Sequence, residues 1–344
     1  MIQLTTPDPF GIYGNDIGHW VVVVAAMLVL AFVLVTVTAY VVFFERVALG
    51  WMQRRPGPNR VGPFGLLQMA ADGVKGLTKE SFMPYGVDKA LYVLAPAIAV
   101  ASVLLGWAVI PVGIWSPITY WIADLNIGIL LVLAVSSMNV YAIMLGGWSS
   151  NNKYSLLGGM RAAAQLISYE MGMGLSLVPI FMIVGSLRLQ EIVGYTVHWG
   201  PYSGPIPLLI LAPVSFVIYL TAAIAETNRA PFDLPEAEQE LIGGYLTEYS
   251  GFKFFMFYLA EYLAVLTQST LITLLFFGGW FLWFLPFVLA LAIKVLFFCF
   301  LFIWIRGTLP RLRYDMLMRL GWKVLLPVGL VNVIVTALLV VLLS

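Results

Sequence analysis

Eight apolar runs, each long enough to cross a bilayer, decide what this chain can fold into. A hydrocarbon core about 30 Å thick takes roughly 20 residues of helix at 1.5 Å rise per residue. Runs at approximately 20–44, 90–110, 124–145, 161–186, 206–225, 252–277, 281–305 and 322–343 meet that requirement. The stretch 254–305 is almost continuously apolar and too long for one crossing. Gly278-Gly279, followed by Pro286, supplies the turn that divides it. The fold class expected is all-α: a polytopic membrane bundle of eight transmembrane helices in one membrane domain spanning 1–344.

Composition agrees and closes off other classes. Hydrophobic residues make up 61% of the chain and mean hydropathy is +0.96, against roughly 45–50% apolar residues in soluble domains. A net charge of +1 argues against a nucleic-acid partner. The single cysteine, Cys299, lies inside an apolar run, so neither a disulfide framework nor a cysteine-held cluster can be built within the chain. His19 and His198 are far apart in sequence, and no metal site is expected. The N-terminus carries Asp8 and Asp16 but no basic region, so no cleaved signal peptide is expected.

Lysine and arginine test the count of spans. The connections 45–89, 146–161, 226–253 and 306–323 hold 16 of the 18 basic residues, leaving Arg188 on the other side and Lys294 within a span. Basic residues concentrate on the inner side of a membrane. Eight spans with both termini on the outer side (periplasm or intermembrane space) satisfy that rule; seven would place the Arg306–Lys323 cluster on the wrong face.

Two inner loops carry more than connection. In 45–89, Arg54, Arg55 and Arg60 surround Pro56-Gly57-Pro58-Asn59, and a helical pattern begins at Pro63. Leu67, Ala70, Val74 and Leu77 recur on one face while Gln68, Asp72, Lys75 and Lys79 recur on another, which predicts a short amphipathic helix at the inner surface. Gly73 and Gly76 weaken such a helix alone, so it is expected to pack on the bundle or a partner. The loop 226–251 is acidic on the basic side. It holds Glu226, Asp233, Glu236, Glu238, Glu240 and Glu248 against Arg229 alone. Interleaved Pro231, Phe232, Leu234, Pro235, Leu241, Ile242 and Tyr245 point to a folded loop presenting carboxylates to a cavity or partner rather than a solvated charge run.

Three charges fall inside spans. Glu170 lies nine residues beyond Arg161, Glu261 about as far beyond Gly251, and Lys294 near the middle of the seventh run. Each ionised group at the bilayer centre costs about 2.5–3.5 kcal/mol, so packing alone would place leucine there. One reading pairs Glu261 with Lys294 as a buried structural ion pair. The functional reading is a proton path, with Ser168 and Tyr169 as possible hydrogen-bonding neighbours of Glu170. Glu45-Arg46, at the end of the first span, reads either as an interfacial anchor or as the mouth of a pocket for a polar headgroup on a lipid-soluble tail. Arg306, Arg311, Arg313 and Arg319 read as an inner anchor or a docking patch.

Four segments together carry a resemblance to a known family: ERVALGWMQRRPGPNRVGPFGLLQMAADGVKGLTKE (45–80), GGWSSNNKYSLLGGMRAAAQLISYE (146–170), AETNRAPFDLPEAEQELIGGYLTEYSG (225–251) and IWIRGTLPRLRYDMLMRLGWK (303–323). The chain resembles the quinone-site membrane subunits of proton-pumping NADH:quinone oxidoreductase, respiratory complex I. That resemblance implies a quinone chamber at the junction with hydrophilic-arm subunits, entered between the first span, the sixth span and the amphipathic helix. The positions it marks for the quinone are Glu45, Arg46, Arg55, Asp72, Arg229 and Asp233, with Lys75 as a weaker one. The carboxylates it marks for a proton path are Glu170, Glu226, Glu236, Glu238, Glu248 and Glu261; Lys294 stays a further buried charge without a role.

By the same resemblance the substrate is a quinone (ubiquinone, menaquinone or plastoquinone), with nothing bound covalently. Flavin and iron–sulfur clusters belong to partner subunits, other membrane-arm subunits and lipids are neighbours, and the setting is an energy-transducing membrane such as the bacterial inner membrane. Two positions depart from the family's pattern: Val47 follows Glu45-Arg46 where a basic residue is common, and Pro56 stands where other side chains are usual. A related reading is the anchor subunit of a membrane-bound hydrogenase or ferredoxin-dependent dehydrogenase. A stand-alone secondary ion transporter is a third, from a different class, but no internal repeat supports it; a purely structural anchor is the last.

Overall fold

The computed structural model describes residues 17–115, 118–120, 123–199, 202–205, 207–233, 243–281 and 287–343. Nine helices matter here: α1 (Ile17–Met52), α2 (Gln68–Thr78), α3 (Lys89–Trp107), α4 (Gly128–Ser149), α5 (Lys153–Val184), α6 (Pro213–Glu226), α7 (Gly251–Phe276), α8 (Phe287–Thr308) and α9 (Tyr314–Leu342). Among the described residues, seven of them (α1, α3, α4, α5, α7, α8 and α9) are long and apolar enough to cross a membrane. The run at 206–225 is not one unbroken helix. A short helix, Leu208–Leu211, stops at Ala212, whose φ of −134° and ψ of 60° are non-helical, and Pro213 opens α6. Proline lacks the N–H that a continuous helix would need there and suits a first helical turn.

Local chemistry sets several boundaries. Asp88 caps α3, its carboxylate accepting from Ala90 N and Leu91 N, and Asn152 caps α5 by accepting from Tyr154 N. Helix α5 therefore begins well before the apolar run, which puts Glu170 seventeen residues, or roughly 26 Å, along it. Gly278 and Gly279 both adopt positive φ, making the turn expected between α7 and the following helix. Two small antiparallel hairpins, Val112–Trp115 with Ile118–Tyr120 and Thr196–Trp199 with Tyr202–Pro205, lie beyond the helix ends opposite the 45–89 loop. The bundle itself is all-α.

Helix α7 is the centre of the packing. Leu263, Ile272, Leu274, Leu275 and Phe276 are fully buried, and its partners include α1, α3, α6 and α8. Close approach between α5 and the 3-10 turn Gly244–Leu246 depends on Gly158, where a Cβ would sit 2.6 Å from Gly244 Cα. The amphipathic helix α2 is real but starts later than expected, after a 3-10 turn at Pro63–Gly65. It packs on α1 and α7, with Gly76 against the Phe255 ring, while Val74 and Leu77 stay 61% and 67% exposed.

Candidate functional site

The site is assembled from four elements that meet where α1, α7 and α8 end on the loop side. Helix α1 turns Thr38, Val41, Val42, Glu45 and Ala48 inward on one stripe, so Glu45 is carried to the bundle interior. The turn after α6 brings Arg229, α7 brings Glu261 and Tyr262, and α8 brings Arg306. Arg229 Nη1 lies 3.3 Å from both Glu45 carboxylate oxygens, and its Nε lies 2.7 Å from Glu261 Oε1. The guanidinium sits 3.9 Å from the Tyr262 ring centroid, and Arg306 pairs with Glu45 from the other side. Two arginines and two glutamates thus form one neutral, largely buried cluster.

The electrostatics of Arg229 follow from those neighbours. Burial by itself would lower its pKa, but Glu261 and Glu45 outweigh it and hold the guanidinium above its ordinary value. Asp233 is four residues further along, its Oδ2 accepting from Arg311 Nη2 at 3.1 Å. Burial pushes this carboxyl above the usual carboxylate value despite the opposing pull of Arg311. Leu312 N donates to Pro231 O, so the α8–α9 connection is laced to the same turn.

Two small cavities lead inward from the cluster. One of about 10 Å³ is lined by Glu261, Asn228, Tyr245, Asn139 and Glu226. The next, about 30 Å³, shares Asn139 and Glu226 and adds Ser102, Ser136, Thr267 and Gln268. Their size and polar walls suit single water molecules. Glu226 accepts from Gln268 Nε2 at 2.7 Å, and Gln268 in turn accepts from Tyr219 OH at 2.8 Å. Glu226 also lies within electrostatic range of Glu170. Consecutive hydroxyls on α4 stand beside the two carboxylates, Ser136 at Glu226 and Ser137 at Glu170. The series Glu45, Arg229, Glu261, Glu226 is therefore linked by ion pairs and a shared cavity, with Glu170 beyond it within electrostatic range of Glu226.

Other expected residues fall elsewhere. Arg46 pairs with Asp72, which also accepts from Gln68 Nε2, so this pair docks α2 on α1 beside the cluster. Arg55 and Lys75 are exposed, with no ion pair among the described residues. Glu248 accepts from Asn152 Nδ2 at 2.6 Å and is set apart by the stacked Tyr92 and Tyr249 rings. Glu236 and Glu238 lie outside the described residues. The Glu261–Lys294 pair does not form. Lys294 Nζ donates instead to Phe277 O, Gly279 O and Phe281 O at 2.7–2.9 Å, gathering the carbonyls of the turn that follows α7. Ser168 and Tyr169 likewise turn away from Glu170, Ser168 Oγ to Ala164 O and Tyr169 OH to Leu317 O.

Sequence reading missed Gln268, Asn139 and Gln165, uncharged polar residues within apolar runs. Their cost in lipid was the available signal, but charge drew attention first.

Fold and site together define a class: a polytopic membrane protein holding a buried arginine–glutamate cluster that opens inward onto a carboxylate series. A family model described as NADH dehydrogenase matches residues 24–337, and the chain belongs to that family. It is 53% identical over 320 residues to an NADH-quinone oxidoreductase H-subunit of Geobacter metallireducens, numbered 1 in its name, covering 91% of this chain and 94% of that protein. It is 50% identical over 318 residues to the NADH-quinone oxidoreductase H-subunit of Thermomicrobium roseum, covering 90% and 93%. The H-subunit from Leptospira biflexa is 48% identical over 341 residues, covering 90% and 93%.

Proposed function

We propose that this chain is the membrane subunit of an NADH-quinone oxidoreductase that forms the lower wall of the quinone chamber and links quinone reduction to proton movement. We count the interrupted 206–225 run as an eighth crossing, with both termini on the outer side of a bacterial inner membrane; the gathering of basic residues in the inner connections supports this. Hydrophilic-arm subunits carrying flavin and iron–sulfur centres supply the electrons, and further membrane-arm subunits flank the bundle among lipids. Helices α1, α2 and α7 frame the entrance, with Arg46, Arg55 and Asp72 at its rim.

One observation carries the reading: Arg229 is shared between Glu45 and Glu261, and Glu261 shares a cavity with Glu226. Reduction of a quinone to its quinol consumes two electrons and two protons. The transient negative charge raises the local demand for protons beside Asp233 and, in the acidic loop, Glu236 and Glu238. Arg229 and Arg306 respond to that charge because each is balanced by shared carboxylates, and a weakened Arg229–Glu261 contact makes Glu261 a better proton acceptor. Glu226, which lines both water-sized cavities, takes the proton onward, and Glu170 beyond it is the next carboxylate in range. Glu248 serves the same demand from the far side of the loop.

The test is Glu170→Gln and Glu226→Gln in the assembled complex. Quinone reduction is expected to fall about tenfold or more, consistent with loss of a general acid–base step, while NADH oxidation by an artificial acceptor stays normal. Wild-type turnover and proton-to-electron ratio in both variants would overturn the relay.

A further inference from the structure

Gln165 lies on α5, five residues before Glu170, and is fully buried. Its Nε2 donates to Ala225 O at 3.0 Å and to Phe232 O at 2.9 Å, with Asn228 Oδ1 a third acceptor at 3.4 Å. All three acceptors belong to the turn that carries Glu226, Arg229 and Asp233. Three oxygens fix the amide's orientation, because a flipped amide would set Oε1 against them. Oε1 is left without a partner among the described residues, so the nitrogen makes this side chain's bonds.

Other contacts reach the turn from outside it: the Arg229 ion pairs, Leu312 N donating to Pro231 O, and Arg311 on Asp233; none of these joins its two limbs. Asn228 sits at φ 49°, a left-handed conformation that asparagine tolerates better than most residues. Its own backbone bonds are local: Asn228 N to Ala225 O at 3.3 Å and Phe232 N to Arg229 O at 2.8 Å. The Gln165 amide joins the incoming limb at 225 to the outgoing limb at 232, and Arg229 is the loop between those two pinned points.

We propose that Gln165 is a positioning residue for proton coupling. It clamps the 225–232 turn so that Arg229 reaches Glu45 and Glu261 while Glu226 faces its cavity, and it ties that turn to the helix carrying Glu170. A shift of Arg229 then strains the same helix that bears the next carboxylate. This rests on the functional reading above.

Two variants in the assembled complex separate clamping from packing. Gln165→Glu keeps the shape but presents oxygens to oxygens; protonation restores one donor. Quinone turnover per assembled complex is expected to fall about tenfold at neutral pH and to recover partly as pH falls, a limb absent from the wild type. Gln165→Leu is expected to show the loss without the new limb. NADH oxidation by an artificial acceptor is expected to remain normal in both. Wild-type turnover and pH profile in Gln165→Glu, or a loss that merely follows the amount of complex assembled, would overturn the clamp.

Should neither variant assemble, Asn228→Gly decides. It removes one acceptor, suits the backbone and is expected to lower turnover about fivefold; no change would overturn the proposal. If Glu226→Gln is harmless while Gln165→Glu is impaired, the relay falls and the clamp stands. The reverse pattern removes the clamp and leaves the relay.

Discussion

At the scale of single residues, the site depends on how far a buried charge is from its partners. Glu45 and Arg229 are 184 positions apart, and nothing in their local sequence couples them. Arg229 stands out in the sequence as the one cation among six acids; its partners Glu45 and Glu261 do not, because they come from α1 and α7. Lys294 shows the converse. It lies seven residues into α8 and Glu261 fifteen before the end of α7, roughly 10 Å and 22 Å from the turn joining the two helices. Antiparallel neighbours with that mismatch in depth cannot pair, and carbonyls of the turn after α7 take the lysine instead. Asp233 gives a test at this scale. Burial holds its carboxyl above the usual value, so its proton is bound more tightly in the folded chain than in the unfolded one. Stability from that proton is present below the ordinary carboxylate range and is lost as pH rises through the raised value. Arg311 opposes the shift, so Arg311→Gln is expected to move the Asp233 titration to still higher pH. Isotope-edited infrared titration of the complex reads this directly, and an unmoved titration would contradict the pairing.

At the scale of elements, the helices were legible and their interruptions were less so. Apolar length located the spans, and the Gly278-Gly279 turn was visible because glycine is suited to positive φ at both positions. Pro213 marks the break, but apolar residues continue on both sides of it, so hydropathy alone joins the two helices. Helix α6 has 14 residues, about 21 Å, so the break leaves Glu226 at its inner end rather than in the loop beyond. Close packing between α5 and the Gly244–Leu246 turn positions Tyr245, which lines the cavity beside Glu261. Gly158→Ala would force a methyl against Gly244 backbone at 2.6 Å, whereas Gly174→Ala on the same helix meets nothing within 4 Å. The first is expected to cost about 1–3 kcal/mol, as overpacking does, and the second to be close to neutral. Thermal inactivation of the assembled complex compares them; equal behaviour would contradict the tight α5 contact.

At the scale of the whole molecule, the eight-crossing arrangement proposed above rests on charge asymmetry. It gathers sixteen basic residues into four connections on one side. The hairpin ends and the Arg188–Asp124 pair fall on the other. Cysteines introduced at Lys79 and Arg313 are expected to react with an impermeant maleimide only from the inner face. A cysteine at Glu191, half exposed beside Arg188, is expected to react only from the outer face. Labelling of all three from one side would refute the eight-crossing arrangement.

The coupling itself is tested most directly by infrared difference spectroscopy of the assembled complex between oxidised and reduced quinone, comparing wild type with Glu226→Gln. The expected result is a protonated-carboxyl band that appears on quinone reduction in the wild type and is missing in the variant. An identical difference spectrum in the two proteins would show that Glu226 takes up no proton when the quinone is reduced, and would contradict the account.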